Sequence, residues 1–418
     1  MNNILVVKFG GSCLPDSNNI RAAAEKVAKE VANKKKVVVV VSALSGMTDQ
    51  LLSLAQDSTS KRVSKEELDD IAAMGERIAV RLMSAALNAQ GLKAVGVDPE
   101  SELWPIMTDS SFGNAQIRFE ATRKKVRENL VPLLEKGFTP VVSGFLGLSP
   151  DGKVTTLGRG GSDITAVVLG NCLDADEVVF VKDVEGVLSA DPKKVVSPQK
   201  IDSLMIEEAY SLASAGAKVI QPKALMYKKQ SMVLRVVGFD APNLSGGTVI
   251  TGELKLGLNA ELYEGPLSMV TLIATNSSLS KVVQTLTEAT SAGAEVLGLT
   301  ISPSSILLYV RNPKDLVQRL HTMMRSDGIA KAIHSVDGLA MITVSGYGLE
   351  DVPGILEATV QPLAREDINL YGVFTISSSI RVFVPWGERE KALSAVKYVL
   401  ERFRKEGDWN GIGQSPQT

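Results

Sequence analysis

The chain has few of the side chains that most often carry catalysis or covalent cross-links. Its 418 residues include two cysteines, Cys13 and Cys172, and two histidines, His321 and His334. Two cysteines without a CxxC pair make neither a disulfide framework nor a Cys/His zinc site. Both histidines lie in the last quarter of the chain. Chemistry in the first 260 residues must therefore proceed without a histidine base, a Ser-His-Asp triad or an imidazole metal site.

Long apolar runs and an excess of one charge are also missing. The longest aliphatic run, Val37–Val41, is far shorter than the roughly 20 residues of a membrane-spanning helix. A net charge of −2 argues against a nucleic-acid surface or a polybasic membrane patch. The first residues contain no basic segment followed by a signal-peptide core. We therefore expect a cytoplasmic protein with no nucleic-acid or membrane partner.

In the first 250 residues, short aliphatic runs alternate with helical patterns, which predicts an α/β fold with a parallel sheet covered on both faces. The second of the predicted helices spans about Ala73–Gln90. It is expected to bury Ile78, Leu82, Ala85 and Ala86. Glu76 would then be near its start, where an acid is favoured by the helix dipole. The predicted strands are Ile4–Phe9, Lys36–Ser42, Thr139–Ser143, Glu177–Lys182 and Met232–Val237.

The pattern changes around Glu253–Pro266. A rhythm of strand, helix, two strands, helix and strand then occurs twice, from about Met269 to Val336 and from about Ala340 to Glu406. This predicts two ferredoxin-like α+β domains in tandem. The expected domains are residues 1–260, 268–336 and 337–406, followed by a disordered tail at 407–418.

The segment richest in chemistry is 155–163, Thr-Thr-Leu-Gly-Arg-Gly-Gly-Ser-Asp. Its arginine can bind a carboxylate through two parallel hydrogen bonds, and its glycines let backbone N–H groups approach an anion. Lys8–Ser12 and Val41–Asp49 form further turns after predicted strands. Since the chain has neither a P-loop nor a dinucleotide-binding fingerprint, these turns are the candidates for phosphate binding. Taken alone, each could also be a surface turn or a helix cap.

Together these segments resemble the aspartate kinases of the amino-acid kinase superfamily with C-terminal tandem ACT domains. The resemblance covers essentially Ile4–Lys405. Gly75-Glu76 and Thr156–Asp163 are its most specific strings, whereas Lys8–Gly11 is shared by relatives that act on other small acids. Other matching strings are Asp109–Ala115, Gly144–Gly147, Lys182–Gly186, Asp191-Pro192 and Gly216–Val219.

The resemblance implies a three-layer amino-acid-kinase fold with a mostly parallel central sheet, followed by two ACT domains. The implied reaction is ATP-dependent phosphorylation of the β-carboxylate of L-aspartate to 4-phospho-L-aspartate, the first step of lysine, threonine and methionine biosynthesis. ATP would be the co-substrate. Mg²⁺ would be held mainly by its phosphates, with no metal-binding side chain assigned. A homodimer or a dimer of dimers with amino-acid feedback is also implied.

The resemblance further implies a role for each matching residue. Lys8 and Asp163 would be catalytic. Arg159 suits a carboxylate and Glu76 an α-ammonium, so together they would select a zwitterion. The implied aspartate contacts are Ser42, Thr48, Glu76, Phe145, Thr156, Arg159, Gly160 and Ser162. The implied nucleotide contacts are Lys8, Phe9, Gly10, Gly11, Ser12, Lys182, Asp183, Leu188, Lys193, Lys218 and Val219.

On the nucleotide side, four positions depart from the usual residue of the resembled family. Lys182 replaces a threonine, Leu188 an aromatic residue, Lys193 an arginine and Gln221 a histidine. The nucleotide base preference is therefore less firmly implied than the aspartate pocket.

Two other functions are compatible with the pattern. A superfamily kinase for another amino acid or a nucleotide is disfavoured by Glu76 with Arg159, and a silent amino-acid sensor is disfavoured by the intact Lys8 and Asp163. Among effectors we rank threonine first, insensitivity second and lysine third. The stretch Val296–Pro303 is apolar where lysine-responsive relatives carry carboxylates. The second ACT-like unit keeps small polar and acidic residues near its turn, namely Glu350, Asp351 and Asn369.

Overall fold

A computed structural model describes residues 3–217, 219–254, 257–273, 279–311, 315–327, 330–349, 352–376 and 378–405. The chain divides into two compact units between residues 255 and 256. Across the described ranges, no helix is long and apolar enough to cross a bilayer. The predicted tail at 407–418 lies outside the described residues, as do Lys218, Glu350 and Asp351.

The first unit alternates strands and helices. Its strands are β1 (Ile4–Phe9), β2 (Lys36–Val41), β3 (Ala94–Val97), β4 (Thr139–Ser143), β5 (Leu146–Leu148), β6 (Val154–Thr156), β7 (Glu177–Lys182), β8 (Val187–Leu188), β9 (Lys200–Ile201), β10 (Ser203–Met205), β11 (Val233–Gly238) and β12 (Thr248–Thr251). Its helices are α1 (Ser17–Ala32), α2 (Met47–Ser58), α3 (Lys65–Ala89), α4 (Phe119–Asn129), α5 (Val131–Glu135), α6 (Gly161–Cys172), α7 (Ile206–Ser214) and α8 (Pro222–Leu225).

Eight of these strands form one sheet in the order β10-β12-β11-β7-β1-β2-β4-β3. The six strands from β11 to β3 run parallel, and β12 is antiparallel to β11. The valines of β2 are buried, as expected for a strand covered on both faces. The mostly parallel sheet and all five predicted strands are confirmed, with β2 and β11 shifted by one residue at their ends.

Local signals explain where the flanking helices begin. The side chain of Asp16 accepts hydrogen bonds from the backbone N–H groups of Asn18 and Asn19 and so caps α1. Ser64 and Glu67 cap α3 reciprocally. The predicted start of the second helix at Ala73 is therefore wrong, because the capping box places it two turns earlier.

The predicted inner face of α3 is wrong for three of its four residues, whereas Ala86 is half-buried and packs against the core. Ile78 and Leu82 are each 42% exposed, and Ala85 is exposed as well. The helix instead buries the face that carries Asp69, Glu76, Val80, Met83 and Leu87. Hydrophobic spacing alone cannot separate these two faces, because both carry apolar side chains at helical intervals.

Within its described residues, the second unit contains an antiparallel sheet and four α-helices. Its strands are β13 (Asn259–Leu262), β14 (Leu267–Ile273), β15 (Glu295–Ser302), β16 (Ser305–Arg311), β17 (Ala332–Ser345), β18 (Gly372–Ile376) and β19 (Ser379–Pro385). Its helices are α9 (Leu279–Ser291), α10 (Leu316–Asp327), α11 (Ile355–Arg365) and α12 (Arg389–Lys405). The sheet order is β15-β16-β14-β17-β19-β18, with β13 paired to β17.

The two predicted ferredoxin-like copies share one strand. The first half of β17 pairs with β14, and its second half pairs with β19 and β13. β13, which precedes the first copy in the sequence, pairs with the second half of β17, and the residues after α12 lie outside the described ranges. The domain boundaries at residues 260 and 336 stay predictions, and both fall within strands of the observed sheet.

Candidate active site

The carboxyl ends of the parallel strands meet at one edge of the eight-stranded sheet, and most predicted site residues lie there. In the sheet, β1 lies between β2 and β7. This order places Lys8, Ser42 and Lys182 on, or immediately after, three neighbouring strands. The turn Gly10–Ser12 follows β1, and Gly10 O accepts the backbone N–H of Cys13 at 2.9 Å. Ligands of parallel sheets bind beyond such ends.

Asp163 lies between two lysines. Lys8 Nζ is 2.7 Å from Asp163 Oδ1, and Lys182 Nζ is 3.8 Å from Oδ2. The backbone N–H of Gln221 also donates to Oδ2, at 3.3 Å. Burial by itself raises the pKa of Asp163, but the lysines and hydrogen bonds outweigh burial and hold it below its ordinary value. Asp163 is therefore an ionised carboxylate paired with cations.

Glycines allow the chain segments around this ion pair to approach closely. Gly160 precedes α6 with φ of +71°, and a Cβ there would lie 2.7 Å from the side chain of Gln221. A Cβ on Gly11 would lie 2.6 Å from the carbonyl oxygen of Ala43. Both approaches exclude larger residues, which explains glycine at these two positions in physical terms.

Glu76 is a second buried carboxyl group, and no described cation pairs with it. Its side chain is 3% exposed, and Oε2 accepts no hydrogen bond within the described parts of the chain. Burial raises its pKa from 4.5 to about 8, against the opposing effects of a hydrogen bond to the Ala43 backbone and the charge of Lys8. Because Glu76 lies mid-helix, the expectation of a first-turn acid is wrong. A bound cation would satisfy this oxygen.

Three other predicted aspartate contacts surround this edge. Ser42 follows β2 and donates its backbone N–H to Phe9 O at 3.2 Å. Thr48 is half-buried in the first turn of α2. Phe145 has φ of +68°, a strained conformation for a residue with a side chain. Its ring packs against Gly161, where a Cβ would lie 2.8 Å from Phe145 Cδ2.

Arg159 and Ser162 differ in accessibility although they are near neighbours. Arg159 is exposed and forms no ion pair with any described residue. Ser162 is buried, and a Cβ added to Gly144 would lie 2.5 Å from Ser162 Cβ. Arg159 thus has an uncommitted guanidinium beside the start of α6, whereas Ser162 is packed into the wall behind it.

Asp69, which the sequence interpretation missed, holds Thr156 in place. Its carboxylate is 4% exposed and accepts hydrogen bonds from Thr156 N–H, Thr156 Oγ1 and Gly113 N–H at 2.7–2.9 Å. The capping box at Ser64 was the available signal. Because the helix already starts at Lys65, both Asp69 and Glu76 lie within it. Residues seven apart in a helix share one face, so the two carboxyl groups lie on the same face of α3.

The predicted nucleotide contacts are less uniformly placed. Phe9 is fully buried in the hydrophobic core, so only its backbone can reach a ligand. Leu188 pairs with Lys200 in the β8–β9 hairpin. Within the described residues, no hydrogen bond or ion pair connects Lys193 to the Lys8–Asp163 pair. Asp183 and Lys193 are exposed, Val219 is buried, and Lys218 lies outside the described residues.

In the part of the chain that the structure describes, no three His, Cys, Asp or Glu side chains converge as a metal site. Both cysteines are free and buried. Burial raises the pKa of Cys172 to about 12 and also raises that of Cys13. Neither thiol is therefore an activated nucleophile.

The sequence model of the amino acid kinase family matches residues 3–238, and that of an ACT domain matches residues 334–397. The chain is 30% identical to the aspartokinase of Geobacillus stearothermophilus over 410 residues, which is 96% of this chain and 97% of that protein. The chain belongs to the aspartokinase family. Because the match covers nearly the full length of both proteins, the family assignment applies to both units of the chain.

Solved structures of family members have the same fold. The aspartate kinase from Synechocystis aligns with a TM-score of 0.72 at 23% identity, over 99% of this chain and 70% of that one. Aspartokinase III from E. coli, in complex with aspartate and ADP, aligns with a TM-score of 0.55 at 22% identity, over 95% of this chain and 100% of that one.

Within the family, one departure of this chain has little consequence at Asp163. Gln221 lies where the resemblance implies a histidine, but its bond to Asp163 Oδ2 comes from the backbone N–H. That bond does not depend on the side chain. Lys182 is different, because its departure from threonine places an additional ammonium group beside the buried carboxylate.

Proposed function

We propose that this aspartokinase binds L-aspartate between Glu76 and Arg159 and transfers the γ-phosphoryl group of ATP to its β-carboxylate beside Lys8. The observation that carries the residue assignment is Glu76, a buried carboxyl group whose Oε2 has no partner in the described structure. An α-ammonium group would provide that partner. The exposed guanidinium of Arg159 provides the complementary fork for a carboxylate.

The chemistry requires no general base. One β-carboxylate oxygen attacks the γ-phosphorus, an O–P bond forms, and the bond between the γ-phosphorus and the oxygen bridging to the β-phosphate breaks to release ADP. Because the attacking group is already ionised, no proton is transferred. The side chains act by positioning and by neutralising charge on the phosphoryl oxygens. Lys8 suits this role because Asp163 fixes its ammonium group at 2.7 Å.

Mg²⁺ would be held mainly by the ATP phosphates in this proposal. The ion dehydrates reluctantly and keeps several waters, so it needs few protein ligands. This agrees with the donor set at the site, where the Asp163 carboxylate is already engaged by two lysines. The ion would neutralise phosphate charge, and the assignment of Lys8 and Asp163 does not require a direct metal contact.

The product identifies the reaction. Purified protein is incubated with Mg²⁺-ATP and an amino acid in hydroxylamine, which converts an acyl phosphate to a stable hydroxamate. We expect equal amounts of ADP and hydroxamate with aspartate. We expect none with asparagine, which lacks the β-carboxylate. Turnover of glutamate with no turnover of aspartate would contradict the proposal.

We also propose feedback by threonine at the second unit of the chain, in a homodimer or dimer of dimers in the cytoplasm. Support comes from the stretch Val296–Pro303, which carries no carboxylate and most of which lies in β15, since burying a lysine ammonium without an acidic partner is costly. Asn369 is exposed after α11. Glu350 and Asp351, which also favour threonine over insensitivity and lysine in the sequence, lie outside the described residues.

Separate titrations of threonine and lysine into the kinase assay test this ranking. A coupling of about 1–3 kcal/mol would change aspartate affinity roughly 5–150-fold. We expect inhibition by threonine, and inhibition by lysine alone would reverse the ranking.

A further inference from the structure

Asp163 is paired with more positive charge than it can neutralise. Lys8 approaches one carboxylate oxygen at 2.7 Å and Lys182 the other at 3.8 Å. The side chains of the two lysines are 10% and 19% exposed, and that of Asp163 is 9% exposed. When all three groups are ionised, they carry one net positive charge in a poorly solvated location.

The surroundings of Lys182 do not remove this charge. Asp183 is the next residue and its charge raises the pKa of Lys182, but it is exposed to water and forms no ion pair with Lys182 among the described contacts. Cys13 is also close enough to affect the pKa of Lys182, yet its thiol is buried with a raised pKa and is therefore neutral. The remaining neighbours are Lys8 and Asp163. An uncompensated cation in such a place is stabilised by a bound anion.

The position of Lys182 limits the identity of that anion. It ends β7, the strand next to β1, at the edge of the sheet where ligands bind. In the proposed function, Arg159 binds one carboxylate of aspartate and the β-carboxylate lies beside Lys8, so both anionic groups of the amino acid already have a cation. The phosphates of the nucleotide are the anions left for the ammonium group of Lys182.

We propose that Lys182 is a further phosphate-binding cation of this chain, in addition to Lys8, and that it moves from Asp163 Oδ2 to a nucleotide phosphate oxygen while Lys8 stays paired with Asp163. The inference rests on the proposed function and concerns the nucleotide rather than the amino acid. The threonine usual at this position in the resembled family could offer a hydroxyl group but no charge. This chain therefore has a charged side chain at a position where the resemblance implies a neutral one.

A charge-neutral variant tests the proposal without catalysis. Isothermal titration measures binding of a non-hydrolysable ATP analogue with Mg²⁺, and no aspartate is present. Because charge-assisted hydrogen bonds are stronger than neutral ones, we expect Lys182→Met to raise Kd about 10–100-fold. Lys26→Met is the matched control, since Lys26 is a partly buried lysine on α1 whose ammonium group bonds Ala241 O. Equal Kd values for wild type and Lys182→Met would overturn the proposal.

The pH dependence of the same Kd provides a second test. It would not change in the expected way if Lys182 had only a structural role. Burial lowers the pKa of Lys182 despite the opposing charge of Asp163, so the ammonium group loses its charge at lower pH than an ordinary lysine. We expect wild-type affinity to weaken as pH rises from 7 to 10. Lys182→Arg should lose less affinity over that range, because arginine stays protonated. Identical pH profiles would contradict the proposal.

A third variant covers the case in which the methionine variant does not fold. Lys182→Thr restores a small polar side chain, and we expect its Kd to be raised to the level expected for Lys182→Met. Wild-type affinity in Lys182→Thr would overturn the role of charge. Failure of the proposed function is a separate result, since wild type would then bind the analogue yet form no hydroxamate with aspartate.

Discussion

Two buried carboxyl groups of the first unit have opposite electrostatic environments. Asp163 has two lysines and a backbone N–H group as partners, and its pKa is lowered. Glu76 has one backbone hydrogen bond and the more distant charge of Lys8, and burial raises its pKa to about 8. Burial is the largest contribution in both cases, so nearby cations decide the sign. A carboxylate that is already paired with lysines can orient them. A buried carboxyl group that has no cationic partner can instead bind a cationic ligand.

Removing either member of the Lys8–Asp163 pair should have the largest effect. Because both are proposed to act on charge that develops during phosphoryl transfer, we expect Lys8→Ala and Asp163→Ala to lower kcat by about 10²–10³-fold, with a smaller change in KM for aspartate. Steady-state kinetics check this, with the exposed Lys29 of α1 changed to alanine as the control. Unchanged kcat would remove the pair from the transition-state role.

Glu76→Gln should mainly weaken aspartate binding. The variant keeps the size of the side chain but loses the charge that would face the α-ammonium, so we expect KM for aspartate to rise about 100-fold. In wild type, KM should fall as pH rises from 6 to 8 because Glu76 ionises near pH 8. The variant should lack this part of the profile. If KM for aspartate depends on pH in Glu76→Gln as it does in wild type, the group that titrates is not Glu76.

The same substitution should increase stability at alkaline pH. The folded-state pKa of Glu76 lies above the ordinary value of 4.5. The free energy of unfolding contributed by Glu76 is therefore highest below pH 4.5 and declines as pH rises to about 8. Glu76→Gln should recover a few kcal/mol at pH 8 and little at pH 4.5. Denaturant unfolding at both pH values measures this, with the exposed Glu25 changed to glutamine as the control.

Arg159→Ala should have a smaller effect than the loss of Glu76, because Arg159 is exposed to water. We expect KM for aspartate to rise about 10–30-fold with little change in kcat, since a bidentate contact of this kind acts in the ground and transition states alike. Arg159→Lys should restore only part of the affinity because lysine lacks the planar fork. Full activity of the alanine variant would contradict the assignment.

Asp69→Asn tests positioning rather than charge binding. Asparagine retains the shape of Asp69 but cannot accept all three of its hydrogen bonds, so we expect the free energy of unfolding to fall by about 1–3 kcal/mol. KM for aspartate should rise less than in the other variants, because Thr156 is displaced rather than removed. Asp70→Asn is the control, as Asp70 is the exposed next residue on α3.

Much of the catalytic unit could be predicted from the sequence because local signals and strand order agree. The predicted strands end at the observed edge of the sheet, and α1 begins at a local capping residue, Asp16. The errors concern α3, where Ile78 and Leu82 were expected inside. An amphipathic pattern identifies a helix, but both apolar faces of α3 could have been the buried one. The capping box at Ser64 determined its start.

In the second unit, too, some features could be predicted from the sequence and others could not. The order of its helices and strands from β14 to α12 could be predicted from the sequence, since each element has its own periodicity. The pairing of β13 with β17 is not visible, because more than 60 residues separate them along the chain and pairing depends on which sheet edge is free.

The sequence by itself determined the α/β class, the tandem ferredoxin-like pattern and the types of side chain available for chemistry. Only the tertiary structure decided that Asp163 is shared by Lys8 and Lys182, that Asp69 holds Thr156, and that Glu76 is buried without a cation. Ionisation and hydrogen bonding depend on distances between residues far apart in the chain and on exclusion of water. Folding alone determines both.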